Sequence, residues 1–315
     1  MSQQSIEDAC RTACEAIGVI FKNVEADGLF HVADLADDHK GKNDARIKIF
    51  QDSQGGIVWN HKSGQRESFF VNDSRGGSGE PLPQAERERI QREQQQRQAE
   101  QQRKQDKAAG KAQAIWQAAK PAPPDHPYLV RKQIKPHGLR IGHWERSIQD
   151  DQGKFHKLII DDVLLAPMFD SAGSLRSLQA IFKETHSELS RDKDFLPGAG
   201  IAGLFGWIGA KTEKVLIAEG FATAATLHEE SGYRVYIAFT ANNLMAVGGI
   251  VREKLPDAET IFCADNDIQT PGNPGLTKAT EAAQAVGGSV TVPPIHGDFN
   301  DYAIYLKGLN HDEER

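Results

Sequence analysis

Residues 214–231 read KVLIAEGFATAATLHEES, and this stretch decides the fold of the C-terminal part of the chain. Val215–Ala218 is a short apolar run typical of a buried strand, and Phe221–Ser231 has the composition of a helix. Glu219 and Gly220 stand between them. A buried strand that turns directly into a helix is the repeating unit of an α/β fold with a parallel sheet.

The same alternation of strands and helices continues to residue 292. Further strands are predicted at Arg234–Phe239, Glu259–Ala264 and Ser289–Val292, and the segments between them predict helices over Asn242–Lys254 and Pro274–Val286. Short strands joined by helices favour a doubly wound, mostly parallel sheet.

Carboxylates follow three of these strands. Glu219 follows the first strand, Asp265 and Asp267 follow the third, and Asp298 and Asp301 follow the fourth. Functional groups of such sheets gather at the carboxyl ends of the strands, so we expect these acids to lie close together. Crowded carboxylates repel one another unless a cation joins them, and Mg²⁺ takes oxygen ligands. The alternative is a set of surface acids at loop starts.

In this order the motifs resemble the Toprim domain of primases, topoisomerases and certain nucleases. More narrowly, EGFATA at 219–224 resembles the EGYATA-type motif of conjugative-plasmid and satellite-phage DNA primases. The likeness runs from about Asp125 to Tyr302, and its other parts are HPYL at 126–129, SLQAI at 177–181, ADND at 264–267, NPG at 273–275 and DFND at 298–301.

The resemblance implies a nucleotidyltransferase that makes short oligoribonucleotide primers on single-stranded DNA for plasmid or phage replication or transfer. Glu219 would act as general base and would also hold Mg²⁺ or Mn²⁺ together with Asp265 and Asp267, with Asp298 and Asp301 as additional ligands. The implied partners are a single-stranded DNA template, ribonucleoside triphosphates and a replicative helicase, without a membrane.

Basic residues ahead of the acids are the candidates for contacts with template and nucleotide phosphates. We expect this role for four of them, with solvated surface charge as the alternative: Arg131, Lys132, Lys183 and Lys193. Between residues 120 and 157 there are eight Lys or Arg and four Asp or Glu, whereas residues 210–315 hold eight basic and fifteen acidic residues. The net charge of −7 argues against tight nonspecific binding of duplex DNA.

Residues 1–73 predict a small α+β domain, with a helix from Ser5 to about Ile17 followed by four short extended runs. The cysteines do not have zinc-site spacing, so this part resembles the zinc-free N-terminal region of some plasmid primases. Its aromatic residues could stack bases of a single strand, but aromatics are more often core and we expect a core role: Phe30, Phe50, Trp59 and Phe70.

The remaining divisions follow from composition. Residues 74–83 predict a hinge, and Gln84–Lys111 a charged helical linker that makes few contacts, because Ile90 is its only large apolar residue. Residues 112–209 would form the N-terminal part of the primase core, with a hairpin formed by Val163–Phe169 and Leu175–Phe182 and an exposed loop over Glu184–Asp194. Residues 210–315 would be the Toprim catalytic domain.

Other functions are possible for the same acids. A Toprim nuclease normally comes with an ATPase, whose phosphate-binding motif is absent from this sequence. A topoisomerase needs a tyrosine nucleophile, and none of the five tyrosines has that setting. A non-catalytic escort protein for single-stranded DNA would have no need for clustered acids. No apolar stretch approaches the ~20 residues of a membrane span and the N-terminus has no signal-peptide pattern, so we expect a cytoplasmic protein.

Overall fold

The computed structural model describes residues 5–36, 43–71, 84–149 and 153–313. The chain divides into two compact units, residues 1–89 and 90–315. The predicted hinge at 74–83 lies outside the described residues.

The N-terminal unit is one helix packed on an antiparallel sheet, as the sequence predicts. Ser5 begins the helix, because its hydroxyl accepts a hydrogen bond from the Asp8 amide at 3.1 Å. The four strands pair in chain order. The elements are α1 (Ile6–Ala16), β1 (His31–Ala33), β2 (Ala45–Ile49), β3 (Gly55–Asn60) and β4 (Arg66–Phe70).

Helix α1 covers one face of this sheet. Alternate residues of β2, such as Ile47, are buried in the core that α1 shares, while the residues between them are only half-buried. Phe30 is 45% exposed and Phe70 is 55% exposed. Trp59 and Phe50 are also outside the buried core. The expectation that these four aromatics form the core is therefore wrong, since a single helix can cover only one face of a sheet.

Helix α2 spans Gln84–Ala118 and includes the predicted linker. The expectation of few contacts is wrong for its second half. Ala108 and Ala112 are buried in a cluster with Trp144 and Leu178, and Asp106 forms an ion pair with Arg176. Within the predicted linker Ala108 makes this contact without a large apolar side chain, and farther along α2 Ile115 and Trp116 pack against the same cluster.

An antiparallel sheet follows α2, with strand order β5-β6-β7-β8-β9. The predicted hairpin is present as β7 and β8, although both strands are longer than expected. The segment over Glu184–Asp194 is not wholly a loop, because its end pairs with β8 as β9. The elements are β5 (Lys120–Pro121), α3 (Pro127–Lys132), β6 (Arg140–Gln149), β7 (Phe155–Phe169), β8 (Leu175–His186) and β9 (Arg191–Phe195).

The C-terminal part forms the predicted doubly wound sheet, with strand order β10-β12-β11-β13-β14. Strand β10 is antiparallel to β12, and the other pairs are parallel. The sequence did not predict β10 or α7. The elements are β10 (Gly206–Ile208), β11 (Lys214–Ala218), α4 (Phe221–Ser231), β12 (Arg234–Ile237), α5 (Leu244–Lys254), β13 (Glu259–Cys263), α6 (Pro274–Val286), β14 (Ser289–Thr291) and α7 (Phe299–Glu313).

Two cores cover the faces of the parallel sheet. Helices α5 and α6 pack on one face around Phe262, which is fully buried. Helix α4 packs on the other face, where its core also includes Tyr128 of α3, Leu164 of β7 and Ile181 of β8. The antiparallel sheet and the parallel sheet therefore share a core, which brings α3 and the β8–β9 edge near Glu219 and Asp265. Among the described residues, no helix is both long and apolar enough to span a membrane.

Candidate active site

Glu219 directly follows β11 at the carboxyl edge of the parallel sheet. Burial raises the pKa of Glu219, and the nearby charge of Asp267 raises it further. The backbone amide of Ala241 donates a hydrogen bond to the Glu219 carboxylate, which opposes this rise. Phe239 donates its amide to the Glu219 carbonyl at 2.7 Å and has a φ of +66°. That backbone conformation is unfavourable for a bulky residue, so the loop after β12 is strained where it meets Glu219.

Asp265 is the most strongly perturbed carboxyl group in this cluster. Burial, followed by the charges of Glu219, Asp298 and Asp267, raises the pKa of Asp265 to about 8. Its Oδ1 atom is buried without a hydrogen-bond partner among the described residues. A buried oxygen without a partner is costly, so this atom is suited to a ligand that the protein itself does not supply.

Two asparagines fix the loop that carries Asp265 and Asp267. The Asn266 side chain donates hydrogen bonds to the carbonyls of Pro293 and Ile295, both at 3.0 Å. Asn273 donates to Asn266 Oδ1 at 3.0 Å and accepts from the Asp267 amide at 2.9 Å. Both asparagines lie within the ADND and NPG motifs, but the motifs alone do not predict these hydrogen bonds.

The position after Asn273 and Pro274 requires a glycine, because there is no room for a Cβ atom. A Cβ atom at this position would lie 2.8 Å from the Asp265 carbonyl oxygen and 3.3 Å from Asp267 Oδ2. The first turn of α6 thus packs directly against the loop that carries the acids.

Asp298 and Asp301 stabilise the start of α7 together. The Asp301 amide donates to Asp298 Oδ1 at 2.9 Å, and the Asp298 amide donates to Asp301 Oδ2 at 3.3 Å. The charge of Asp298 raises the pKa of both Glu219 and Asp265, which places it with the acid cluster. Asp301 instead pairs with Lys132 at 3.1 Å.

Of the four basic candidates, Lys193 on β9 lies near enough to the acids for its charge to act on them. Its positive charge opposes the rise in pKa of both Glu219 and Asp265. Lys132 pairs with Asp301, whereas Arg131 donates to the Lys183 carbonyl. The structure therefore brings Lys193 to the acid cluster, with Lys132 at its margin, and leaves Arg131 and Lys183 in contact with each other.

Tyr128, in the HPYL motif, is a further residue near the acids that the sequence does not predict. The residue is fully buried, and its hydroxyl has no hydrogen-bond partner among the described residues. Burial raises the pKa of Tyr128, and the charges of Asp192, Asp298 and Asp301 add to this effect. His126 holds this turn, because one ring nitrogen bonds the Tyr128 amide and the other the Asp162 carbonyl. The Tyr128 hydroxyl thus belongs to the neighbourhood of the acids.

The oxygen donors at this edge fit a hard cation. Within the described ranges, no three His, Cys, Asp or Glu side chains already form a group that could hold a metal ion. Mg²⁺ does not require such a cage, because it commonly uses one or two carboxylates together with waters and substrate phosphates. The unpartnered oxygen and raised pKa of Asp265 are what a cation would relieve.

Comparisons with known proteins agree with this geometry. A Toprim domain family model matches residues 213–295, which hold β11–β14, Glu219, Asp265 and Asp267. DNA primase TraC of Escherichia coli is 28% identical over 292 residues, which cover 86% of this chain and 26% of TraC. A second protein of that name and organism is 34% identical over 154 residues, covering 46% of this chain and 10% of that protein. The chain thus spans about a quarter or less of the length of these relatives.

Among solved structures, the RNA polymerase domain of Mycobacterium tuberculosis primase DnaG gives a TM-score of 0.43 at 18% identity, covering 64% of this chain and 79% of that chain. A score of this size does not by itself establish a shared fold. The family match and the strand order are the stronger findings, and they confirm the predicted resemblance. Residues 213–295 of this chain match the Toprim domain, and the chain is related in sequence to DNA primase TraC.

Proposed function

We propose that this chain synthesises short oligoribonucleotide primers on single-stranded DNA by Mg²⁺-dependent nucleotidyl transfer. The observation that carries the proposal is the acid cluster at the carboxyl edge of the Toprim sheet, where Asp265 Oδ1 is buried without a partner among the described residues and the charge of Lys193 acts on both Glu219 and Asp265. The sequence relationship to DNA primase TraC supports this activity over a nuclease or an escort protein.

Four acids would hold the ion, and one of them, Glu219, would also accept a proton. Asp265 and Asp267 would be the principal ligands, with Glu219 and Asp298 completing the oxygen set. When bound, Mg²⁺ neutralises phosphate charge during the transfer. We place Asp301 farther from the ion, because its carboxylate pairs with Lys132.

The protein's own groups supply binding and proton transfer. Lys193 would bind a nucleotide phosphate opposite the acids, and Lys132 would add positive charge at the margin. The raised pKa of Glu219 makes its carboxylate a better proton acceptor, as removal of the proton from an attacking hydroxyl requires. Arg131 and Lys183 would contact the template farther from the reacting atoms.

The partners follow from the same proposal. They are a single-stranded DNA template, ribonucleoside triphosphates and a replicative helicase. The setting would be replication or transfer of a plasmid or phage in the cytoplasm.

The direct test is incubation of the chain with single-stranded DNA, four labelled ribonucleoside triphosphates and Mg²⁺. We expect short labelled oligoribonucleotides that require both template and metal, and none from Asp265→Ala. Asp257→Ala is the matched control, because Asp257 is an exposed aspartate just before β13 whereas Asp265 follows that strand. Shortening of the DNA without oligomer synthesis would support the nuclease instead, and binding without either reaction would support the escort protein.

A further inference from the structure

The N-terminal sheet has a face that helix α1 does not cover, and we call it the open face. It is defined by six residues on the side of the sheet opposite the core: Phe30, Arg46, Lys48, Trp59, Arg66 and Phe70. The register supports this assignment, because Arg46 pairs with Trp59 and Trp59 pairs with Arg66, and directly paired residues share a face.

Aromatic rings on the open face are accessible and lie close to one another. Phe30 and Phe70 are 45% and 55% exposed. The Phe30 and Trp59 ring centroids are 6.3 Å apart, and the ring of Phe50, the residue directly after β2, lies 6.4 Å from that of Phe70. Large exposed aromatics that cluster are unusual on a protein surface unless they bind a partner.

Positive charge lies among these rings. The Arg66 guanidinium lies 3.9 Å from the Trp59 ring centroid, and the Lys48 ammonium lies 5.4 Å from that of Phe30. Neither cation forms an ion pair with another described residue. Strands β2–β4 place no carboxylate on this face.

The pKa of a neighbouring histidine reports the same positive field. Burial lowers the pKa of His61, and the charges of Arg46 and Arg66 lower it further, against an opposing effect of Asp44. The face therefore favours a negatively charged ligand with flat apolar groups.

We propose that the open face binds single-stranded nucleic acid, with bases stacked on Phe30 and Phe70 and backbone phosphates near Lys48 and Arg66. Stacking platforms interleaved with cations are the usual means by which sheets bind single strands without sequence preference. A duplex would satisfy the charges but not the rings, because its bases are already stacked on one another. This contact is separate from the Toprim acids and does not depend on the proposed catalysis.

The test is the affinity of the full chain for a fluorescently labelled 20-nucleotide dT strand, followed by fluorescence anisotropy. Phe30→Ala and Phe70→Ala should each weaken binding by about 5- to 100-fold, the worth of one stacked base. Phe155→Ala is the matched control, since Phe155 is an exposed phenylalanine at the start of β7 in the other unit. It should leave the affinity unchanged.

Salt dependence separates the cations from the rings. Lys48→Gln should reduce the slope of log affinity against log salt by about 0.7, the value for one phosphate contact on a single strand. A 20-nucleotide rU strand should bind with an affinity similar to that of the dT strand, because stacking uses the faces of bases. Thermal unfolding of each variant checks that it folds.

Unchanged affinity in folded Phe30→Ala and Phe70→Ala would overturn the inference, as would a preference for a 20-base-pair duplex over the single strand. Its failure is distinguishable from failure of the catalytic proposal. In the first case primers are made but the phenylalanine variants bind normally. In the second, strands bind and the phenylalanine variants lose affinity, but no oligoribonucleotide forms.

Discussion

The two sheets at opposite ends of the sequence present different surfaces for function. Helices cover both faces of the parallel sheet, so its ionisable groups collect at the carboxyl ends of its strands. The antiparallel N-terminal sheet has one helix, and its remaining face carries rings and cations. In this chain, the sheet with helices on both faces has its functional surface at its edge, and the sheet with a single helix has one on its open face.

The two surfaces also differ in how they treat charge. At the Toprim edge, like charges are brought together and partly removed from water, and the pKa of Asp265 rises to about 8. On the open face, cations lie against aromatic rings in the presence of solvent. The first arrangement favours a bound cation and catalysis, whereas the second favours reversible binding of a polyanion.

The largest expected effect is on catalysis at the Toprim edge. Glu219→Gln keeps the size of the side chain but removes its negative charge and its ability to accept a proton. Primer synthesis should slow by about 10²–10⁴-fold, the usual worth of a general base. Single-turnover synthesis with saturating nucleotide measures the chemical step directly.

Nucleotide binding provides the control for this variant. We expect Glu219→Gln to bind nucleotide nearly as well as the wild type, whereas Asp265→Ala should need more Mg²⁺ and regain some activity when it is added. Equal synthesis by the wild type and Glu219→Gln would remove Glu219 from the chemistry.

Adjacent phenylalanines test the two faces of the N-terminal sheet. Phe69 is 6% exposed and packs in the core, whereas Phe70 is 55% exposed on the open face. Phe69→Ala should lower the free energy of unfolding by about 3–5 kcal/mol. Phe70→Ala should change it by no more than about 0.5 kcal/mol. Urea unfolding of both variants measures these changes. Similar losses in the free energy of unfolding of the two variants would mean that the open face is covered.

The Toprim part of the fold was predictable because its signals are local. Most strands between Lys214 and Thr291 are short apolar runs, and α4 begins directly after Glu219 and Gly220, so the predicted bounds differ from the observed ones by only a few residues. The acids were predictable for the same reason, since strand ends can be located in the sequence.

Other features depend on contacts between distant segments. Lys193 lies near Glu219 and Asp265 only because β9 pairs with β8 and the two sheets share a core. Tyr128 reaches the acids through the same packing. The sequence of the N-terminal sheet shows which residues alternate between its two faces, but it does not indicate which face a helix will cover. Phe30 and Phe70 were therefore assigned to the wrong face.

Gly275 tests how closely α6 must approach the acids. Gly275→Ala would place a methyl group 2.8 Å from the Asp265 carbonyl oxygen, which forces the loop or the helix to move. We expect a loss of about 1–3 kcal/mol in the free energy of unfolding, with reduced synthesis. Gly249→Ala in α5 is the control, because its added Cβ meets no atom within 4 Å. That substitution should be neutral or stabilise by up to about 1 kcal/mol. Equal stability of the two variants would contradict tight packing at Gly275.

The last expected effect is a pH dependence of stability that originates at Asp265. Its pKa is about 8 in the folded chain against an ordinary value of 3.8, so between these values the folded state holds a proton that the unfolded state has lost. The contribution of Asp265 to stability is therefore fully present below about pH 4 and is lost as the pH rises through 8.

Asp265→Asn lacks this titration, so its stability relative to the wild type should increase between pH 5 and pH 8 in the presence of a chelator. We expect an increase of at least about 1.4 kcal/mol, the equivalent of one pKa unit, in urea unfolding experiments. Adding Mg²⁺ at pH 8 should stabilise the wild type more than Asp265→Asn, because a ligand of the folded state shifts the unfolding equilibrium. Parallel stability curves for the two proteins, with or without Mg²⁺, would show that Asp265 is not held in the desolvated, charge-crowded position that distinguishes the Toprim edge from the open face.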